Sequence, residues 1–313
     1  MVDVAPAPPE DLTDPVTEPL GPVPDPHADE SSRPRMPWSA RLLLAVPVAV
    51  LTVFFLGPFA LMLRTSFYRR VQGGFYEPAF VLESWTRLTS EFYVDRTIFS
   101  ILACAFVAAI TVAVAFPFTW YLTRMRPRFQ VPLLVLLLSA LALSEVIVAF
   151  AWDLILGRST GITNVLVWIG LMSEPRSYTP GFVALAIGLA YIAFPYCVLA
   201  FYPTLSRIDD ELVEAATTLG AKRGAVFRTV VVPLGRTTLV AGFLLVFVFT
   251  LGSYIIAQVL GRPEHWTLSV FISDQAVFNS NIPFAAAIAI FLTVVSLVVV
   301  AITSRLARQE VAS

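Results

Sequence analysis

Between residues 42 and 304 the chain carries six predominantly apolar runs, at 42–63, 97–122, 131–152, 181–202, 237–259 and 283–304, each 22 to 26 residues long. A helix needs about 20 apolar residues to cross the hydrocarbon core of a bilayer. In lipid, only a helix of that length or a closed barrel satisfies its own backbone. A buried helix of a water-soluble protein is shorter and keeps a polar face. The runs therefore predict an all-α, polytopic membrane protein with about six transmembrane helices. Pro47, Pro58, Pro117 and Pro195 fall inside runs; they predict kinks, since membrane helices tolerate proline. Composition agrees, with 57% hydrophobic and 14% charged residues, where water-soluble domains carry about 25% charged residues.

Several function classes drop out at this point. With a net charge of −1, nothing points to nucleic acid or to an acidic polymer. Cys104 and Cys197 lie in apolar runs and read as small buried hydrophobes. The two histidines, His27 and His265, both lie outside the runs, so a histidine-based metal site within the membrane is excluded. No G-x-x-x-x-G-K phosphate-binding loop is present, so the chain itself is not expected to hydrolyse ATP. Residues 1–37 are rich in Pro, Asp and Glu and read as a disordered tail. Residues 38–313 read as one membrane domain. With both termini inside, the inner side carries thirteen Lys and Arg residues and the outer side eight. The short loop Arg124-Met125-Arg126-Pro127-Arg128 is the sharpest element of that bias. Both the tail and the C-terminus are accordingly expected in the cytoplasm.

The inner segment 203–236 is long but not loop-like. Ile208, Leu212, Ala215 or Ala216, and Leu219 recur at helical spacing. Asp209, Asp210 and Glu211 sit where they complement a helix dipole. Gly220 then breaks the pattern, and a second stripe follows at Phe227, Val230 or Val231, and Leu234, with Pro233 ending it. This predicts two short amphipathic helices joined by a sharp turn outside the bilayer. An interfacial helix resting on lipid favours basic residues and large apolar anchors. Here the first helix is acidic and its stripe is partly alanine, which suits a protein groove better.

Glu214-Ala215-Ala216, three residues, Gly220, nine residues, then Val230-x-Val232-Pro233 resembles the EAA signature of ABC importer permeases. The usual Ile and Leu before the proline are Val here. The likeness runs from about residue 40 to 305, with the signature between the fourth and fifth runs. Within the family the chain is most similar to spermidine/putrescine-type permeases. The shared stretches are Ala151-Trp152, Leu156-Gly157-Arg158, Gly161 to Asn164, Tyr178-Thr179-Pro180-Gly181, Phe194-Pro195-Tyr196, Leu251-Gly252 and Gly261-Arg262-Pro263. Two departures remove charge: Val148 stands where many such permeases carry Arg, and Ser253 where they often carry Asp.

The resemblance implies one permease subunit of an ATP-driven importer in the bacterial inner membrane. Its partners would be two ATPase subunits, a second and different permease, and an external solute-binding protein. ATP and Mg would bind the ATPases, and this chain would hold no cofactor or metal. Glu214, Ala215, Ala216, Gly220, Ala221, Phe227 and Pro233 would form the coupling element. Glu214 would pair with a basic ATPase residue, and Gly220 would allow the turn or act as an ordinary helix cap. Phe227 would anchor in the ATPase or pack on its own helices. The solute would be small and polar, a polyamine or, with the lost charges, an opine-like compound or thiamine. A secondary transporter is the alternative, but it would need mirrored intramembrane acids, and Glu145 is the only charge in any run. Glu145 is therefore a pathway candidate or a structural partner of another helix. Trp152, Asp153, Ser253 and Tyr254 are further pathway candidates. Trp152 can equally anchor at an interface, Asp153 face outer water, and Ser253 and Tyr254 bond between helices. The polar stretch Asp274, Gln275, Asn279 and Asn281 reads as a solvated outer loop or a contact for the binding protein.

Overall fold

The computed structural model describes residues 38–71, 74, 76–159 and 161–312. The expected disordered tail, 1–37, lies outside the described residues. Residues 38–56 and 57–312 belong to two separately compact units. The first contains helix α1 (Trp38–Leu51) and a wide π-type turn at Thr52–Leu56. It carries no charged residue beyond Arg41, and a helix without a polar face suits a hydrocarbon surround.

The second unit is a helical bundle. In chain order it contains α2 (Gly57–Thr65), α3 (Glu83–Leu88), α4 (Glu91–Thr123), α5 (Pro127–Leu141) and α6 (Glu145–Leu156). It continues with α7 (Ile162–Trp168), α8 (Phe182–Leu205), α9 (Asp210–Thr218), α10 (Arg223–Leu234) and α11 (Arg236–Gly252). It closes with α12 (Ile255–Leu260), α13 (Leu268–Phe278) and α14 (Ile282–Ala312). No strand occurs among the described residues. Four continuous helical stretches are long and apolar enough to cross a membrane: Ala45–Thr65, Glu91–Thr123, Phe182–Leu205 and Ile282–Arg305.

Two of the six expected spans are broken. The run 131–152 is split into α5 and α6, which meet at 102°. Ser144 is extended there and stands at the N-cap position of α6 without a side-chain capping bond, with Glu145 in the first turn. A Ser-Glu pair is an N-terminal signal, and it outweighs the continuous hydropathy around it. α6 then runs past Trp152 and Asp153 to Leu156. The run 237–259 is split at Ser253, which is extended, into α11 and α12.

Three buried clusters hold the bundle. One joins α4, α8 and α11 through Cys104, Ala108, Phe116, Cys197, Phe201 and Phe247. The second joins α6, α8 and α12 through Val148, Ala149, Leu185, Leu189, Ile256 and Leu260. The third joins α3, α4, α13 and α14 through Leu88, Tyr93, Phe271, Phe284 and Ile288. Alanines at the contacts let helix axes approach closely, as helices packed in lipid require.

The bundle has two distinct ends. At one, the 124–126 turn meets α9 through an Arg124–Asp210 ion pair of 3.2 Å. At the other, Arg70 Nη2 donates to Asn279 O at 2.7 Å and Arg262 Nε to Pro180 O at 2.9 Å. α4 spans the bundle, since Arg96 near its start bonds Glu264 O at that second end.

Candidate functional site

The elbow between α8 and α11 is built from local signals. Asp209 caps α9, its carboxylate accepting from Glu211 N at 3.1 Å, and Asp210 and Glu211 occupy the first turn. At the other end Gly220 N donates to Thr217 O at 2.9 Å and Ala221 N to Ala216 O at 3.1 Å. This pair of bonds is a Schellman cap, and Gly220 takes the left-handed residue it requires, with φ of +84°. The turn and the helix cap foreseen for Gly220 are therefore one feature. Ala221 supplies the following amide.

α9 has two unlike faces. Ile208 and Val213 are half-buried against the α4–α8–α11 core, and Ala216 is half-buried as well. Leu212, Glu214 and Ala215 are exposed, and Leu219 is 89% exposed. The expected stripe thus divides. Ile208 and Ala216 belong to the packed side, while Leu212, Ala215 and Leu219 form an apolar patch with no partner among the described residues of this chain.

α10 lies against the bundle. Val226 and Val231 are buried, and the half-buried Phe227 ring sits 5.9 Å from Phe116. Phe227 thus packs on its own bundle while part of its ring stays exposed. α10 widens into a π-turn at Phe227–Val231 just before Pro233, whose missing N–H weakens the ladder. Pro233 does not end the helix. The chain continues to Leu234 and bends by 75° at Gly235. A Cβ on Gly235 would lie 2.6 Å from Phe116 Cζ, so any larger residue at this corner must displace the Phe116 ring.

The five pathway candidates fall into three places. Glu145 and Ser253 come together, each at the break in its own span, and Ser253 Oγ donates to Glu145 Oε1. Ser269 Oγ donates to Ser253 O at 2.8 Å and lies 2.7 Å from Thr267 Oγ1. Leu268 N donates to Ser100 Oγ at 3.0 Å. A broken helix frees backbone groups that lipid cannot satisfy, and neighbouring hydroxyls take them up here. Among the described residues Glu145 makes no ion pair. Tyr254 follows Ser253 and is 40% exposed. Trp152 packs edge-on against Tyr191 at 5.5 Å and lines a cavity of about 140 Å³ with Ile147, Val148 and Ala151. Asp153 stands apart, accepting from Thr179 Oγ1 at 2.6 Å, and ties α6 to the segment entering α8.

Sequence reasoning missed Ser100, Thr267 and Ser269, which are short polar residues without a motif. The stretch 274–281, expected as a solvated loop or an outer contact, is also different. Asp274 and Gln275 lie in α13, and Gln275 and Asn281 are 7% and 4% exposed. The signal was available in Leu268-Ser269-Val270-Phe271-Ile272, an apolar stretch too short to count as a span.

A family model described as "Binding-protein-dependent transport system inner membrane component" matches residues 96–310. The chain is 27% identical over 255 residues to the spermidine/putrescine transport system permease protein PotB of Escherichia coli (strain K12), covering 81% of this chain and 92% of that protein. In fold it resembles a chain of a bacterial alginate ABC transporter solved with its alginate pentasaccharide-bound periplasmic protein. That match has a TM-score of 0.68 at 17% identity and covers 87% of this chain and 95% of the other. A chain of the MetNI methionine ABC transporter in inward-facing conformations matches with a TM-score of 0.54 at 17% identity, covering 70% and 96%.

Proposed function

The chain belongs to the family of binding-protein-dependent transport system inner membrane components, and from that premise we propose how this permease subunit of an ABC importer is coupled and what it moves. The α9 end of the bundle faces the cytoplasm, where the Lys and Arg excess lies, and both termini are on that side. α9 seats in a cleft of a partner ATPase. Two such ATPases, holding ATP and Mg, close on nucleotide and drive two permeases between outward and inward access. The second permease is a different protein, and an external binding protein delivers the solute to the opposite end.

The observation that carries this reading is the unpartnered face of α9, with Leu219 89% exposed at a capped turn. A lone surface helix would turn such residues inward. Glu214 lies on the same exposed side and offers a carboxylate to a basic ATPase residue; a desolvated pair at an interface couples more strongly than an exposed one. Gly220 fixes where α9 stops and α10 begins, so the patch is held at a set angle to the core. Phe227 serves the elbow from inside by packing on Phe116, and Pro233 follows the π-turn at 227–231 with no N–H to give to the ladder.

For the solute, we place the pathway beside the Glu145–Ser253 pair. Paired helix breaks are where transporters present polar groups at membrane depth. PotB's name and the carboxylate of Glu145 support a polyamine. Val148 and Ser253, neutral where such permeases carry charge, favour another small polar solute such as an opine-like compound or thiamine. Vesicles holding this chain, its second permease and the ATPases test the reading. Uptake of labelled spermidine is expected to require ATP and the binding protein. Uptake driven by an ion gradient without ATP would replace the importer reading by a secondary transporter.

A further inference from the structure

We infer that Arg124 is a positioning residue that ties the α9 elbow to α4, so that a displacement of α9 moves α4 and α8 together. The inference rests on α9 being the coupling element. Arg124 follows the last residue of α4, and its side chain is 23% exposed. The guanidinium carbon lies 3.1 Å from the centroid of the Trp120 ring. Nη1 donates to Thr123 Oγ1 at 2.9 Å and reaches Leu205 O, at the end of α8, at 3.4 Å. Nη2 donates to Ile208 O at 3.2 Å and lies 3.2 Å from Asp210 Oδ1, the first residue of α9.

One planar cation thus serves the ends of α4 and α8, the linker and the start of α9. The terminal carbonyls of a helix lack intrahelical partners and carry partial negative charge, so a cation at the end of α8 is favoured. Asp210 is 73% exposed, and a pair so open to water contributes little by itself. The carbonyl contacts and the Trp120 stack therefore carry most of the tie. Arg suits the task because its fork is flat and fixed, whereas Lys presents a single flexible point charge. Without this node α9 keeps the chain itself, its packing on α10 and the half-buried Ile208, Val213 and Ala216. With it, α4 receives the motion directly, and α4 also carries Ser100, which holds Leu268 beside the Ser269–Ser253–Glu145 chain.

The test uses the full transporter in proteoliposomes, with Arg124→Ala, Arg124→Lys and Asp210→Asn. Solute moved per ATP hydrolysed is read beside the amount of ATPase that co-purifies. Arg124→Lys is expected to lower solute per ATP at least fivefold while ATPase recovery stays near wild type. Arg124→Ala should do no better, and Asp210→Asn should lower the ratio less than twofold. Arg124→Lys keeps the charge and the stem over Trp120, which guards against a folding defect. Asp210→Asn alters an exposed side chain and separates the ion pair from the carbonyl contacts. An unchanged ratio in Arg124→Lys overturns the inference. So does a loss in either Arg124 variant that only tracks reduced ATPase recovery, since that marks a structural role. If wild-type chain fails to retain the ATPase at all, the coupling reading falls instead, which separates the two failures.

Discussion

The elbow at 206–235 and the break at Glu145–Ser253 both interrupt apolar helices, yet they treat their polar and apolar groups in opposite ways. At the break, the polar groups turn to each other: a carboxylate, hydroxyls and the Ser253 carbonyl form one chain inside the bundle. At the elbow, α9 closes its backbone ends with its own caps and leaves Leu212, Ala215 and Leu219 uncovered. A break surrounded by lipid and helices must satisfy itself. An elbow at a bundle end can leave an apolar face for a second protein. The contrast predicts that substitutions at the elbow act on coupling, whereas those at the break act on solute movement.

The largest effect is expected at Gly220. Replacing it by Val forces a β-branched residue into a left-handed conformation that costs about 1–2 kcal/mol, a factor of roughly 5–30 in the population with the correct turn. Solute uptake should fall about five- to thirtyfold while the protein still reaches the membrane, as read by immunoblot. Asn, which tolerates that conformation, should restore most of it. A Val variant with normal uptake would show that the elbow angle is irrelevant.

Next is Glu145→Gln, which can keep the bond from Ser253 but removes the acid. A hydrogen bond to a charged group contributes about 1.5–3 kcal/mol and Gln retains a neutral bond of about 1 kcal/mol, so the net loss of roughly 1.4 kcal/mol should lower uptake of a cationic solute about tenfold. A raised KM for the solute with unchanged membrane abundance is the expected pattern. Equal uptake would make Glu145 a structural partner of α11 and erase half of the contrast.

Gly235→Ala should then destabilise by about 1–3 kcal/mol through overpacking on Phe116. Unfolding in detergent would show it as a lower Tm, and Phe116→Leu should recover part of the loss. The smallest effect on stability is expected for Leu219→Ser, within about 0.5 kcal/mol, as for most exposed sites. It should nevertheless reduce ATPase retention on a column by about two- to threefold, since exposed apolar contacts at an interface contribute modestly each. A Tm shift without loss of retention would place Leu219 in the fold and not in an interface.

The elbow was largely legible in the sequence because short-range rules produce it. Asp209 at a helix start, Gly220 at a left-handed cap and the Glu214-Ala215-Ala216 triplet each act within a few residues. What escaped was direction. Spacing placed Ile208 and Leu212 in one stripe, but only the α4–α8–α11 core decides that Ile208 packs and Leu212 does not. The break was less legible, because continuous hydropathy hides an interruption that costs little when a neighbour supplies hydrogen bonds. Ser144-Glu145 held a helix-start signal that the run 131–152 masked, whereas Ser269, far along the chain, could be linked to Ser253 only by the fold. Pro233 misled by two residues, since Gly235 against Phe116 sets the corner.

Cross-linking of α9 to the ATPase through a cysteine introduced by Ala215→Cys tests the central claim most directly. Cys104 and Cys197 are buried, so they add little background. With the assembled transporter, the Ala215→Cys variant is expected to form a heterobifunctional adduct with the ATPase, in a yield that changes between nucleotide-free and ATP-bound states. An adduct absent in every nucleotide state, or labelling of the introduced thiol by an impermeant reagent from the external side of intact cells, would contradict it.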